Sequence, residues 1–158
     1  MNLYRVVDNL ISLAENKYEQ LNEIYLLTQQ QTNVIEARDM EALLELIDKK
    51  QEKIDLIVTL DSQFEAITDD IKTIYEVKSL DELEVESSNI AILKDSISKV
   101  TGILKQIIQI ENINKEKINC EKNQLEIKMN NAKNGKVAIK QYGGISNYTD
   151  AVFFDKKK

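Results

Sequence analysis

Apolar residues recur every three or four positions through three long stretches of this chain, and no proline interrupts any of them. One stretch covers residues 90–132, with apolar side chains at 90, 93, 97, 100, 104, 107, 118, 125, 129 and 132. That is the spacing of one face of a long α-helix. The stripe has two unlike halves. Up to Ile110 it is dense, with Ile97, Val100, Ile103, Leu104, Ile107 and Ile108, whereas beyond it Glu111, Asn114 and Glu121 fall on the same face. The first half is expected to be buried and the second only partly.

The two stretches before it read the same way. A helix over about 3–37 carries Leu3, Val7, Leu10, Ala14, Leu21, Ile24, Thr28 and Ile35 on one side, widened by Ile11, Tyr18 and Tyr25. Lys17 and Gln31 occupy seam positions within it, where they either snorkel at a loose part of the packing or fix its register at a cost in stability. Asp39 then stands where a short acceptor can cap the free amides of a new helix, with Glu41 also opposing that helix's positive end. The second helix, about 40–76, uses Leu43, Ile47, Ile54, Ile57, Phe64, Ile67, Ile71 and Ile74. So short a link makes the two antiparallel.

A polar stretch over 77–89 breaks the pattern. Inside it Ser79-Leu80-Asp81-Glu82 fits a capping box, which predicts a short extra piece of helix. Ser87, Ser88 and Asn89 offer caps for the third helix, and Asn134-Gly135 supplies a residue able to take positive φ at its end. The expected fold is therefore all-α, an elongated antiparallel up-and-down bundle of three long helices, four counting the piece near Leu80. A helical domain over 1–134 (helices about 3–37, 40–76 and 89–134) would precede a flexible basic tail, 135–158. At ~1.5 Å per residue the first two helices reach ~50 to 55 Å and the third nearly ~70 Å, an overhang of roughly ten residues. The excess is expected beyond the Asp39 turn, leaving the chain underpacked after about Asn114.

Composition supports helices over strands, with four glycines, 6% aromatic and 30% charged residues. The net charge of −6 and pI near 4.9 remove the basic surface that phosphate backbones need, so nucleic acid is not an expected partner. Charge is unevenly spread: from Gly135 onward five Lys face only Asp150 and Asp155, so an acidic body carries a basic tail. Cys120 stands alone and forms no internal disulfide. Arg5 and Asp8 interrupt the N-terminal apolar residues as no signal peptide would, and no run approaches ~18 apolar residues, so neither secretion nor a membrane span is expected. The expected setting is cytoplasmic.

Catalytic constellations are missing. Without histidine the commonest general base and metal ligand are gone. Gly102 stands alone in a helix, and Gly143-Gly144 lack the Lys-Ser/Thr and helix cap of a phosphate loop. Carboxylates three or four apart, such as Glu41 with Glu45 or Glu82 with Glu86, read as solvated helix faces, and Cys120 has no basic neighbour to activate it. No catalytic, cofactor-binding or metal-ligating residue is assigned, no cofactor is implied, and an enzyme is not expected. What remains is recognition by helices: an overhanging helix and an aromatic-bearing tail that together accept another protein's amphipathic helix, or a self-contained bundle whose tail folds back on it.

Two stretches carry a resemblance. Ile35-Glu36-Ala37-Arg38-Asp39-Met40-Glu41-Ala42-Leu43, followed by Leu46, Lys50 and Ile54, resembles the first helical hairpin of FlgN-type flagellar export chaperones. Gly135-Lys136-Val137-Ala138-Ile139-Lys140-Gln141-Tyr142 and the ending Phe153-Phe154-Asp155-Lys156-Lys157 resemble that family's tail, and the likeness runs in order along the whole chain. Arg38 departs from it, standing where the family often has Gly, so the turn must bend without the residue most tolerant of positive φ.

The resemblance implies a cytoplasmic chaperone that holds hook-associated, hook-filament junction proteins unassembled by their terminal helices and passes them to the flagellar type III export gate. The residues themselves place partner binding at Ile118, Leu125, Met129 and Ala132 on the sparse half of the helix and at Val137, Ile139, Val152, Phe153 and Phe154 in the tail, to which the resemblance adds Tyr142. Tyr142 is implied as a contact for gate or client, or packs loosely on its own helix. Two other readings stay open: a helical coiled-coil protein that self-associates, and an export chaperone for another flagellar client such as the filament cap or filament protein. Lys17, Gln31, Lys50, Asp61 and Glu111 on the seam argue for packing within one chain, because a symmetric dimer would place like charges together. Glu111 and Asn114 are the expected border between core and binding surface, and replacing both by Leu is expected to stabilise the free chain.

Overall fold

The computed structural model describes residues 2–83 and 87–129. Three helices account for most of them: α1 (Leu3–Glu36), α2 (Met40–Ile74) and α3 (Ser87–Met129), with a single 3-10 turn at Leu80–Glu82. The architecture is an all-α bundle of three helices packed on one another, with no strand among the described residues. The expected ends at 37 and 76 fall one and two residues earlier; residues 130–134, the predicted end of the third helix, and the tail lie outside the described residues.

Both α1 and α2 stop at a residue other than glycine in the left-handed region, Arg38 at φ 57° and Glu76 at φ 52°. At the first turn the Arg38 amide donates to the Ile35 carbonyl (3.0 Å) and the Asp39 amide to the Val34 carbonyl (2.9 Å). These two bonds close the last carbonyls of α1 in the paired pattern that a left-handed residue makes possible. The Val77 amide reaches the Lys72 carbonyl in the same way after α2 (3.2 Å). Arg38 thus performs the bend that the sequence left to a non-glycine residue.

Asp39 then starts α2: its Oδ1 accepts from the Ala42 amide at 3.0 Å while its carbonyl accepts from Leu43 at 3.1 Å. This is the expected N-cap. The predicted capping box at Ser79 is not made, since neither the Ser79 hydroxyl nor the Ser79 amide takes part in it. The Ser79 hydroxyl caps nothing, and Glu82 Oε2 reaches back to the Lys78 amide at 2.9 Å. Leu80 and Leu83 hold that turn by packing on the core instead.

The chain divides into two compact units, Met1–Tyr25 with Glu52–Gln106, and Leu26–Gln51 with the described residues from Ile107 on. In the first, Leu10 and Ala14 of α1 meet Ile71 of α2 and Leu93 of α3, with Phe64 and Ile67 partly buried around them. Lys17 is paired with Asp61 at 2.7 Å, and Lys53 with Glu23 at 2.7 Å. In the second, Ile35 of α1 meets Leu43 and Ile47 of α2 and Ile118 of α3. Within the first unit Leu10 lies with Ile71 and Glu23 pairs with Lys53, so α1 and α2 are antiparallel there, and within the second Asn114 meets Thr28 and Lys117 meets Glu36, so α3 runs with α1.

The buried stripe of α3 differs from the predicted one. It runs Leu93, Ser96, Val100, Ile103, Ile107, Glu111, Asn114 and Ile118, in steps of three or four. Ile97 is exposed and Leu104 only half-buried. A seam repeating every 3.5 residues keeps the same face inward whatever its chemistry, so Ser96, Glu111 and Asn114 are carried inside while two apolar residues fall outside.

Candidate functional site

The second unit contains a layer of polar side chains where a hydrophobic seam would be expected. Each helix contributes by the same heptad logic that buries its neighbours: Thr28 and Gln31 from α1, Lys50 from α2, Glu111 and Asn114 from α3 are all buried. The Lys50 ammonium donates to Gln31 Oε1 at 2.7 Å and forms a buried ion pair with Glu111. One turn further along α3, Asn114 Nδ2 donates to the Thr28 carbonyl at 3.1 Å while its Oδ1 accepts from the Thr32 hydroxyl at 2.5 Å. Burial pushes the Lys50 pKa below its ordinary value, and the charge of Glu111 and its hydrogen bond oppose that shift without cancelling it.

This overturns the expected border. Glu111 and Asn114 lie inside the packed unit, and the core resumes beyond them at Ile118, which is 3% exposed against Ile35, Leu43 and Ile47. The core therefore extends past Asn114 as far as Ile118. The cause is pairing: each polar group meets a partner of matching chemistry on another helix, which removes the penalty that made those positions look like a surface. Lys17, Asp61, Gln31, Lys50 and Glu111 were legible as seam positions, and the signal that would have joined them is opposite charge on facing helices.

At the turn, α3 is fastened from outside. Arg38 Nε pairs with Glu121 Oε2 at 2.5 Å and Arg38 Nη2 donates to Gln124 Oε1 at 3.0 Å, while Lys117 pairs with Glu36. The same left-handed Arg38 that ends α1 thus also holds the far part of α3. Ile113 and Ile127, two exposed isoleucines on α3, are not covered by the hairpin, Ile127 being 72% exposed. Cys120 is exposed, with Gln124 Nε2 3.8 Å from its sulfur.

Of the partner-binding residues predicted, Ile118 is thus in the core of the second unit. Leu125 and Met129 lie on α3 with side chains outside the described set, and Ala132, Val137, Ile139, Tyr142, Val152, Phe153 and Phe154 lie outside the described residues. Ile35, Leu43, Ile47, Lys50 and Arg38, which line the hairpin under α3, had not been singled out for recognition. Among the described residues no three His, Cys, Asp or Glu side chains gather as a metal site would need, and no helix is long and apolar enough to cross a membrane.

The hairpin thus holds the third helix through an apolar cluster and matched charges. The family model for FlgN protein matches residues 1–149, and the chain belongs to that family, a family of flagellar export chaperones that bind flagellar proteins. Comparison with curated proteins and with solved structures found no match.

Proposed function

We propose that the protein is a cytoplasmic chaperone for hook-associated, hook-filament junction proteins, which it keeps unassembled by covering a terminal helix and hands to the flagellar export gate. The observation that carries this reading is family membership over nearly the whole chain. A hairpin that already accepts one amphipathic helix is consistent with it. Client contacts are assigned to the end of α3 and the tail, through Leu125, Met129, Ala132, Val137, Ile139, Tyr142, Val152, Phe153 and Phe154, with Ile118 joining them when α3 is displaced. Tyr142 is the proposed contact for gate or client.

Amide exchange of the full chain with and without a C-terminal helical segment of a hook-associated protein tests the reading. Slower exchange across residues 125–154 is expected on binding. Protection confined to residues 3–37 moves the site elsewhere. Absence of binding to any hook-associated segment, with capture of a filament or filament-cap segment instead, replaces the client.

A further inference from the structure

The hairpin of the second unit holds α3 in an unequal way. Over residues 111–124 one aliphatic side chain of α3, Ile118, is buried among the described residues. Every other cross-helix attachment given above for that stretch is polar: Glu111 to Lys50, Asn114 to Thr28 and Thr32, Lys117 to Glu36, and Glu121 with Gln124 to Arg38. Exposed ion pairs exchange readily with water and add little to stability, and a buried pair repays its own desolvation poorly. A segment attached this way opens at lower cost than one attached by a continuous apolar stripe.

What lies beneath has a defined chemistry. Ile35, Leu43 and Ile47 form an apolar floor, bounded on one side by the Lys50 ammonium and on the other by the Arg38 guanidinium at the turn. We propose that residues 111–124 of α3 are a replaceable strap, and that the groove beneath them receives an amphipathic helix of another protein, with carboxylates placed to meet Lys50 and Arg38, in the strap's place. The proposal rests on the chaperone reading for the identity of that protein, but not for the chemistry. The strap's own spacing specifies the ligand: a carboxylate to meet Lys50, a branched aliphatic residue seven positions later to fill the floor, and a second carboxylate three positions beyond it to meet Arg38, as Glu111, Ile118 and Glu121 do. The chain's own tail has the wrong sign for those two cations, with five Lys against two Asp over 135–158. The occupant is therefore a helix from a partner.

The test uses full-length protein carrying Cys120→Ser together with Thr32→Cys and Asn114→Cys, two positions whose side chains touch, so that oxidation pins the strap and reduction frees it. The probe is a fluorescent synthetic peptide copying residues 107–126. The reduced form is expected to bind it, the oxidised form to bind about tenfold more weakly or not at all, and reductant to restore binding. In the otherwise unmodified chain Lys117→Glu, which sets like charges against Glu36, should favour the open strap and tighten peptide binding by about threefold to tenfold. A peptide bearing Glu111→Lys should not bind. Equal binding by oxidised and reduced protein, or no binding to the reduced form, overturns the strap. If a hook-associated segment binds both redox forms equally, the strap fails and the chaperone reading stands. If no hook-associated segment binds while the copied peptide obeys the redox lock, the chaperone reading fails and the strap stands.

Discussion

The Lys50 ammonium and the Glu111 carboxylate form an ion pair with side chains 3% and 8% exposed, joining α2 to α3 inside the second unit. Removing one partner leaves the other charged and buried. Glu111→Leu or Lys50→Met alone should each cost ~3 to 5 kcal/mol. Changing both together should return stability to within ~1 kcal/mol of the parent or above it, since well-packed apolar replacements of a buried pair are often neutral or stabilising by ~1 to 4 kcal/mol. Denaturant titration of the four proteins in a double-mutant cycle measures this, and additive single effects would show that the pair is not coupled. The expectation from sequence that Glu111→Leu with Asn114→Leu stabilises the chain is reversed, because Lys50 would keep its charge and lose its carboxylate.

The same pair makes stability depend on alkaline pH. Burial is the largest influence on Lys50 and lowers its pKa from 10.5, outweighing the attraction of Glu111. Between the lowered folded-state value and 10.5 the folded chain has released a proton that the unfolded chain retains. The unfolded state then binds more protons, so this group's contribution to the unfolding free energy rises with pH, by at most ~1.4 kcal/mol per pH unit. Below that window both states keep the proton and the contribution is flat at its lowest. Relative to Lys50→Met/Glu111→Leu, the parent chain should gain stability as pH climbs through the alkaline range. A loss would mean that the charge of Glu111 dominates over burial.

Gly102 lies within α3, exposed, and beyond its own helical turn nothing stands within 4 Å of where a Cβ would be. Nothing in the packing requires it. Gly102→Ala should therefore stabilise the fold by ~0.5 to 1 kcal/mol through helix propensity alone. A rise in the thermal midpoint with an unchanged denaturant slope checks it, and destabilisation would reveal a contact that the free chain does not make.

Arg38 and Glu76 adopt the same left-handed backbone but carry different obligations. A left-handed non-glycine residue costs ~1 to 2 kcal/mol, offset in a glycine variant by the entropy that glycine adds to the unfolded chain. Glu76 is exposed, so Glu76→Gly should gain a few tenths to ~1 kcal/mol. Arg38→Gly relieves the same strain but removes the contacts to Glu121 and Gln124. It should show a smaller gain or none, together with faster amide exchange over residues 117–124. Equal gains at the two turns would mean that Arg38 holds nothing.

Helix positions, the Asp39 cap and the antiparallel hairpin were legible in the sequence because they depend on near-neighbour chemistry. A three-to-four apolar spacing, a short acceptor after Glu36-Ala37-Arg38, and the absence of proline each act within a few residues of where they are read. The family resemblance was legible for a related reason, since its hairpin and tail motifs are themselves local. Tertiary structure alone decided the fate of the polar seam. Whether Glu111 and Asn114 end the core or sit inside it depends on Lys50, Gln31, Thr28 and Thr32, which lie on other helices and far along the chain. A buried polar group is unfavourable or tolerable according to its partner, and partners across a bundle are set by how helices meet, which no local pattern encodes. Ile118 makes the same point: its place against Ile35, Leu43 and Ile47 is fixed by the meeting of three helices, and that meeting turned an expected surface residue into core.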